Sequence, residues 1–335
     1  MTKELNDTEP LKQPDEDCAG APDRHPEWIW RSGENIAWDN ATVHVRAVGH
    51  SSVSAVFEGL RAYLSADRQR LFVFRLDEHL NRLFASARLC RLRLPYSFAE
   101  LREAVLELLL LNRYREDVYI RPWAFPGDPL REMLVPADVN CEVVIDTWRM
   151  SSNLFAARGC RAAFGSWARI NETTMPPRAK AFSNYHNGRL AVLEARENGH
   201  DWPILLNERG KVSEGPGACV ALVRDGVVIT PSITSGVLES VTRESAITLL
   251  READITVEER EVDRTELYLA DEVFFLGTAW EILPITSVDG LRVGEGIMGP
   301  VASRLEETYA EVVRGESARH KDWLTEVPLN FDSPS

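Results

Sequence analysis

The stretch MPPRAKAFSNYHNG, residues 175–188, places a lysine in a chain that otherwise carries its positive charge on arginine. Of 38 basic residues only five are lysine: Lys3, Lys12, Lys180, Lys211 and Lys321. Lys3 and Lys12 fall in the N-terminal tail, Lys321 lies near the C-terminus and Lys211 sits in the turn-like NERGK, so Lys180 alone occupies the ordered-looking middle. Arginine stays protonated, whereas a desolvated lysine can lose its proton and become a nucleophile or base. Lys180 is therefore a candidate for covalent chemistry, to be weighed against a structural lysine.

The commonest cofactor held as a lysine imine is pyridoxal phosphate, an electron sink that also needs a carboxylate at its pyridine nitrogen and a cup for its phosphate. Free amides at a helix N-terminus, helped by hydroxyls and an arginine, make such a cup. Val241 and Thr242 in LESVTRESA stand at a helix start, and Gly277 and Thr278 in LGTAW at a tight corner. Glu214 in VSEGPG precedes glycines that allow close backbone approach. Each has a plainer reading: Thr242 as an N-cap, Glu214 as a solvated turn carboxylate, Gly277 as a turn glycine. Metal chemistry has little support, because the seven histidines show no H-x-x-x-H spacing and Cys18, Cys90, Cys141, Cys160 and Cys219 form no C-x-x-C.

The elements that must position these residues follow from periodicity. Residues 28–47 and 54–63 and RLFVFR at 70–75 read as strands. Leu80, Leu83, Phe84, Ala87 and Cys90 share one helical stripe, and Ser97 with Glu100 opens a second helix with a capping box. Residues 117–125 and 141–148 read as strands, completing an α/β unit. The second half restarts with a strand at 160–167, a helix from SNYHNG to a C-cap at Gly199, and hairpins in PILLNERGKVSEG and CVALVRDGVVITP, the latter turning at Asp225–Gly226. A helix capped by Thr242, a strand in ITVEEREV, a short helix opened by Asp263 and Glu266, two strands around the Gly277–Thr278 corner and a helix in VASRLEETYAEVVRG close the chain. The expected domains are a disordered acidic tail over 1–26, an N-terminal α/β domain over 27–148, a connection over 149–157 and a cofactor-binding domain over 158–335.

With 335 residues and 44% hydrophobic content the chain can bury substantial cores. A net charge of −14 opposes binding to nucleic acid or anionic membranes and favours a small-molecule partner. No apolar run is long enough for a membrane helix, and the scattered cysteines suit a reducing cytoplasm.

Taken in order, VFEGLRAY, FRLDEHLNRL, YIRP, AKAFSNY, GKVSEGPG, TRES, LYLADEVFFLGTAWEILPI and GEGIMGP resemble the branched-chain amino-acid aminotransferases of pyridoxal-phosphate fold type IV, over about residues 28–325. The resemblance implies an α/β (α+β) fold of two domains with pyridoxal 5′-phosphate in the cleft between them, and a homodimer whose second subunit completes the pocket. It implies an L-amino acid and a 2-oxo acid as substrates. Lys180 corresponds to the lysine that bonds the cofactor, Tyr185 to the tyrosine near its phenolic oxygen and Glu214 to the pyridine carboxylate. Arg82 matches the phosphate arginine, joined around the cofactor by Leu238, Val241, Thr242, Gly277 and Thr278. Tyr119 and Arg121, with the backbone at Thr278 and Ala279, match the receivers of the substrate carboxylate, and Phe57 and Trp148 match the pocket wall. Phe57 and Trp148 read equally as core, and Arg121 as the partner of a local acid.

The chain departs from the family pattern beside the site. Ser51, Ser52 and Val53 stand where a His-Tyr-Gly type segment is usual, Ala218 and Cys219 replace Glu-Asn, Glu239 and Ser240 replace Pro-Gly, and Trp280 replaces a small residue. The expectation is retained chemistry with substrate choice shifted towards a larger or more polar, non-standard amino acid made in a specialised biosynthetic pathway. The rivals within the fold are a D-amino-acid or (R)-amine transaminase and an aminodeoxychorismate-lyase-like enzyme; outside catalysis, a non-catalytic protein of the same fold.

Overall fold

The computed structural model describes residues 25–127, 141–156 and 159–329, so most of the tail expected over 1–26 lies outside the described residues. The first sheet contains β1 (Trp28–Arg31), β2 (Glu34–Ala37), β3 (Val56–Phe57), β4 (Leu60–Leu64), β5 (Arg70–Phe74), β6 (Val118–Pro126) and β7 (Cys141–Arg149), all in antiparallel pairs. Helices α1 (Val48–Ser54), α2 (Leu76–Leu89) and α3 (Phe98–Leu111) belong to this half. α3 carries the capping box foreseen at Ser97 and Glu100, and α2 buries Leu80, Leu83 and Ala87 against the sheet.

The second, mixed sheet is built from β8 (Cys160–Ala168), β9 (Trp202–Leu206), β10 (Cys219–Arg224), β11 (Val227–Pro231), β12 (Val257–Arg260), β13 (Glu272–Gly277), β14 (Glu281–Val288) and β15 (Leu291–Arg292). It is flanked by α4 (Phe182–Glu197), α5 (Val241–Glu252) and α6 (Pro300–Val313). The β10–β11 hairpin turns on Asp225 and Gly226 at φ 50° and 76°, the left-handed pair a two-residue turn requires. Asp263 and Glu266 form their capping box on a 3₁₀ turn, Arg264–Leu269.

Three local expectations change. Residues 42–47, expected within the first strand run, form no strand, and Val45 is 79% exposed with no strand beside it; α1 follows instead, held by Ser51 Oγ on the Pro126 carbonyl at 2.9 Å. Thr242 is not the cap of α5: Ser240 is, accepting from the Arg243 amide, which leaves Thr242 buried in the first turn. The last strand, β16 (Leu324–Pro328), was not foreseen and returns to pair with β5 of the first sheet. It brings Trp323 into a core with Tyr63 and Phe74 from the first sheet and Phe274, Leu305 and Tyr309 from the second half, so the two halves share buried apolar surface.

Candidate active site

Both halves of the chain hold Lys180. It stands just before α4, its amide donating to Ser86 Oγ at 3.0 Å and its carbonyl accepting from the Phe57 amide at 2.9 Å. The spacing Lys180-x4-Tyr185 brings the tyrosine round the first turn of α4, and Nζ donates to its hydroxyl at 2.7 Å. The Phe57 ring lies 4.9 Å from Nζ and also packs on Tyr185 and Phe182. Burial opposes charge on the amine, but the oxygens of Tyr185, Glu58 and Tyr119 outweigh burial and the Arg82 cation and hold its pKa above the ordinary lysine value. Lys180 is half-buried, and its surroundings favour the protonated amine.

Arg82 reaches this pocket from α2 and is clamped by a carboxylate. Glu58, fully buried, takes Arg82 Nε at 2.7 Å and Nη2 at 2.8 Å, while Arg82 Nη1 donates to the Glu239 carbonyl at 2.6 Å beside the start of α5. His79 Nδ1 lies 2.8 Å from Glu58 Oε2, the oxygen that also accepts from Arg82 Nη2. Burial lowers the His79 pKa despite that carboxylate, so the ring is neutral and Nδ1–H donates. Burial raises the Glu58 pKa, but Arg82 and His79 overcome it and hold it far below the usual carboxylate range. Because the folded pKa lies below the unfolded one, this contribution is complete above about pH 4.3 and is lost as pH falls towards the folded value. Glu58→Gln, which strands the Arg82 cation, is expected to lower stability by about 3–5 kcal/mol in denaturant melts at pH 7, and by less as the pH falls below 4. A variant within 1 kcal/mol of the parent at pH 7 would contradict the clamp.

Glu214 is placed by the return of the β9 hairpin, where the Leu205 amide donates to its carbonyl at 2.9 Å. Its Oε1 pairs with Arg169 at 2.7 Å and its Oε2 accepts from the Leu238 amide at 3.0 Å, both side chains 7% exposed. Cys219 lies 3.8 Å from Oε2 through its thiol, and burial and that carboxylate push its pKa up to about 12, so it is an inert thiol. The backbone of Gly217 runs along the Tyr185 ring, since a Cβ there would meet Tyr185 at 3.8 Å. The turn 214–219 that carries Glu214 thus lies against the head of α4, where Tyr185 holds the Lys180 amine.

Val241 and Thr242 open α5, where the first amides have no intrahelical acceptor. Gly277 ends β13 against Gly217 and Ala218; a Cβ would come to 2.8 Å of the Ala218 Cβ. Thr278 and Ala279 follow in the turn before β14, half-buried. Tyr119, half-buried, stacks on Trp148 at 4.6 Å and fits only because residue 59 is glycine, whose added Cβ would clash with its hydroxyl. Arg121 takes the plainer of its two readings: it pairs with Asp146 at 2.8 Å and covers Trp148 at 5.0 Å. Trp280 fills core with Trp202 and Phe275 at 4.4 and 5.1 Å. The residues sequence reasoning missed are Glu58, His79 and Arg169. The first two lie within quoted motifs, VFEGLRAY and FRLDEHLNRL, whereas Arg169 carries no local signal.

An amine, a carboxylate held by an arginine, an arginine beside a helix N-terminus and a tyrosine on the amine make a transaminase-like constellation on a mixed α/β frame. The sequence profile of the family Amino-transferase class IV matches residues 55–288, so the chain belongs to that family and is a transaminase. It is 39% identical over 297 residues to a probable branched-chain-amino-acid aminotransferase of Aquifex aeolicus, covering 88% of this chain and 95% of that protein. It is 39% identical over 304 residues to the Escherichia coli K12 branched-chain-amino-acid aminotransferase, covering 90% and 97%. The crystal structure of the Thermobaculum terrenum branched-chain amino acid aminotransferase in its PLP form superposes with a TM-score of 0.87 at 44% identity, over 90% of this chain and 99% of that one.

Proposed function

We propose that this transaminase transfers the amino group of an L-amino acid, branched-chain or closely related, to a 2-oxo acid, using pyridoxal 5′-phosphate bonded to Lys180. The observation that carries the reading is the Lys180–Tyr185 pair at 2.7 Å against the turn that holds Glu214, a carboxylate fixed by Arg169 and the Leu238 amide. The donor set fits the cofactor: an amine for its aldehyde, a carboxylate for its pyridine nitrogen, and the α5 amides with Thr242, Thr278 and Arg82 for its phosphate. The holo form of the Thermobaculum relative supports it. When bound, pyridoxal phosphate accepts the electron pair left on the substrate α-carbon.

The residues of the chain do the rest. Lys180, once released, takes the α-proton and returns it at the carbon that receives the amino group. Tyr185 keeps the amine oriented between those transfers, and Glu214 holds a proton on the pyridine nitrogen. Tyr119 and the Thr278–Ala279 backbone receive the substrate carboxylate. Arg121 contributes as a guanidinium already half neutralised by Asp146, so the tyrosine and the amides carry the larger share. Phe57 and Trp148 wall the side-chain pocket. Ser52 and Val53, in place of the family's tyrosine segment, face outward on α1, which fits a pocket completed by the second subunit of a homodimer. The chain reads as a two-domain cytoplasmic protein with the cofactor in the interdomain cleft.

Steady-state transfer from L-leucine, L-isoleucine and L-valine to 2-oxoglutarate, run beside the D-enantiomers, tests the reading. Turnover with an L-substrate alone is expected. Turnover confined to D-amino acids, or pyruvate release without an amino acceptor, would replace it with one of the rival activities.

A further inference from the structure

Outside the cofactor cradle the chain buries a further ion pair. Arg61 of β4 and Glu281 at the head of β14 are 1% and 0% exposed, with Nη1 and Oε1 3.4 Å apart. Arg61 Nη2 donates to the carbonyls of Met150 and Ser151 at 2.5 and 2.7 Å. Glu281 accepts Ser152 Oγ at 2.8 Å and the Asn153 amide at 2.5 Å, and Asn153 Nδ2 donates to the Ala279 carbonyl at 2.9 Å. The pair therefore joins three segments: the first sheet, the connection after β7, and the turn Thr278–Glu281. Glu281 holds φ at 58°, a left-handed conformation that a glutamate adopts only where its surroundings impose it.

A buried ion pair is a poor device for stability alone, because its desolvation offsets most of its attraction. Its position suggests another use. Arg61 is the register partner of Tyr119 across β4 and β6, and Glu281 is the register partner of Gly277 across the turn that contains Thr278 and Ala279. Arg61 therefore lies beside Tyr119 on the neighbouring strand, and Glu281 closes the turn that carries Thr278 and Ala279, so each member of the pair adjoins one of the two groups assigned to the substrate carboxylate.

We propose that Glu281, through Arg61 and Asn153, is a positioning residue for substrate: it fixes the spacing between Tyr119 on the first sheet and the Thr278–Ala279 turn on the second, and so sets affinity for the carboxylate of amino and oxo acids. The inference rests on the carboxylate site proposed above. It separates the charge of the pair from the chemistry at Lys180, which lies on a different element.

The test uses the purified holoenzyme and 4-methylpentanoate, a leucine skeleton that has the carboxylate but no amino group to react. Glu281→Gln keeps the side-chain shape and removes the charge. Its inhibition constant for 4-methylpentanoate and the KM for amino acid are expected to rise about tenfold, the loss of one charge-assisted hydrogen bond. kcat at saturation, the cofactor absorbance and cofactor retention on dialysis should stay within twofold of the parent. Asn153→Ala, at a half-buried position, removes only the bond to Ala279 and is expected to raise the same constants about threefold. Lower thermal stability with unchanged inhibition and KM would overturn the proposal and leave the pair as a structural tie. Should Glu281→Gln not fold, Asn153→Ala decides on the same terms. A parent enzyme that neither binds 4-methylpentanoate nor turns over an amino acid would instead overturn the functional reading.

Discussion

Lys180→Ala is expected to lower turnover by at least about 10⁴-fold, because one side chain supplies both the bond to the cofactor and the base that moves the α-proton. The fold should survive. Lys180 is held chiefly through its backbone, by Ser86 and the Phe57 amide, and among the described residues its side chain makes a single hydrogen bond, to Tyr185. Two features separate this loss from a structural one. The variant should still retain the cofactor without a covalent link, through Arg82, the α5 amides and Glu214, so that borohydride no longer fixes it to the chain. Small primary amines added to the variant should restore part of the proton transfer, faster for amines that fit beside Phe57 and Tyr185. Lys180→Arg should fail as badly as alanine, since a guanidinium neither adds to an aldehyde nor gives up its proton near neutral pH. Activity above one tenth of the parent in Lys180→Ala would remove Lys180 from the chemistry.

Glu214→Ala should have the second largest effect, a fall in kcat of about 10²–10³-fold, the range for losing one charge aimed at a developing charge in a buried site. The carboxylate is set by Arg169 on one oxygen and the Leu238 amide on the other, so it is fixed before any ligand arrives. Its substitution leaves the Arg169 cation beside the position a pyridine nitrogen would take, and that cation disfavours a second positive charge there. Glu214→Asp should recover part of the rate. Arg169→Leu should lose less than Glu214→Ala while shifting the absorbance of the bound cofactor in the same direction. Equal kcat in parent and Glu214→Ala would show that Glu214 is a turn carboxylate and no more.

What was legible in the sequence was local. The capping box at Ser97 and Glu100 and the Asp225–Gly226 hairpin are written within a few residues, and the structure carries both. Lys180 stood out through the scarcity of lysine elsewhere, and Val241–Thr242 through the helix that follows them. What stayed hidden was decided across the chain. β16 is a short stretch, LTEVP, whose strand character comes from an edge about 250 residues earlier on β5. α1 depends on a carbonyl of β6, and Ser240 displaced Thr242 as the cap because either hydroxyl suits the pattern. Arg169 meets Glu214 only after β8 and β9 align, and Asp146 meets Arg121 only through the β6–β7 register. Thus the candidate reacting groups could be named from the sequence together with Tyr185, Tyr119 and Arg82 around the amine, while Glu58, His79 and Arg169, which set the charge of Arg82 and Glu214, could not.

The account stands most directly on one measurement, the visible absorption spectrum of the purified protein before and after pools of L- and then D-amino acids. The expected result is a yellow protein whose long-wavelength band gives way to the pyridoxamine form with the L-pool alone, and recovers when a 2-oxo acid is added. A protein that stays colourless with added pyridoxal phosphate, or keeps its band unchanged with both pools, would contradict amino transfer at Lys180.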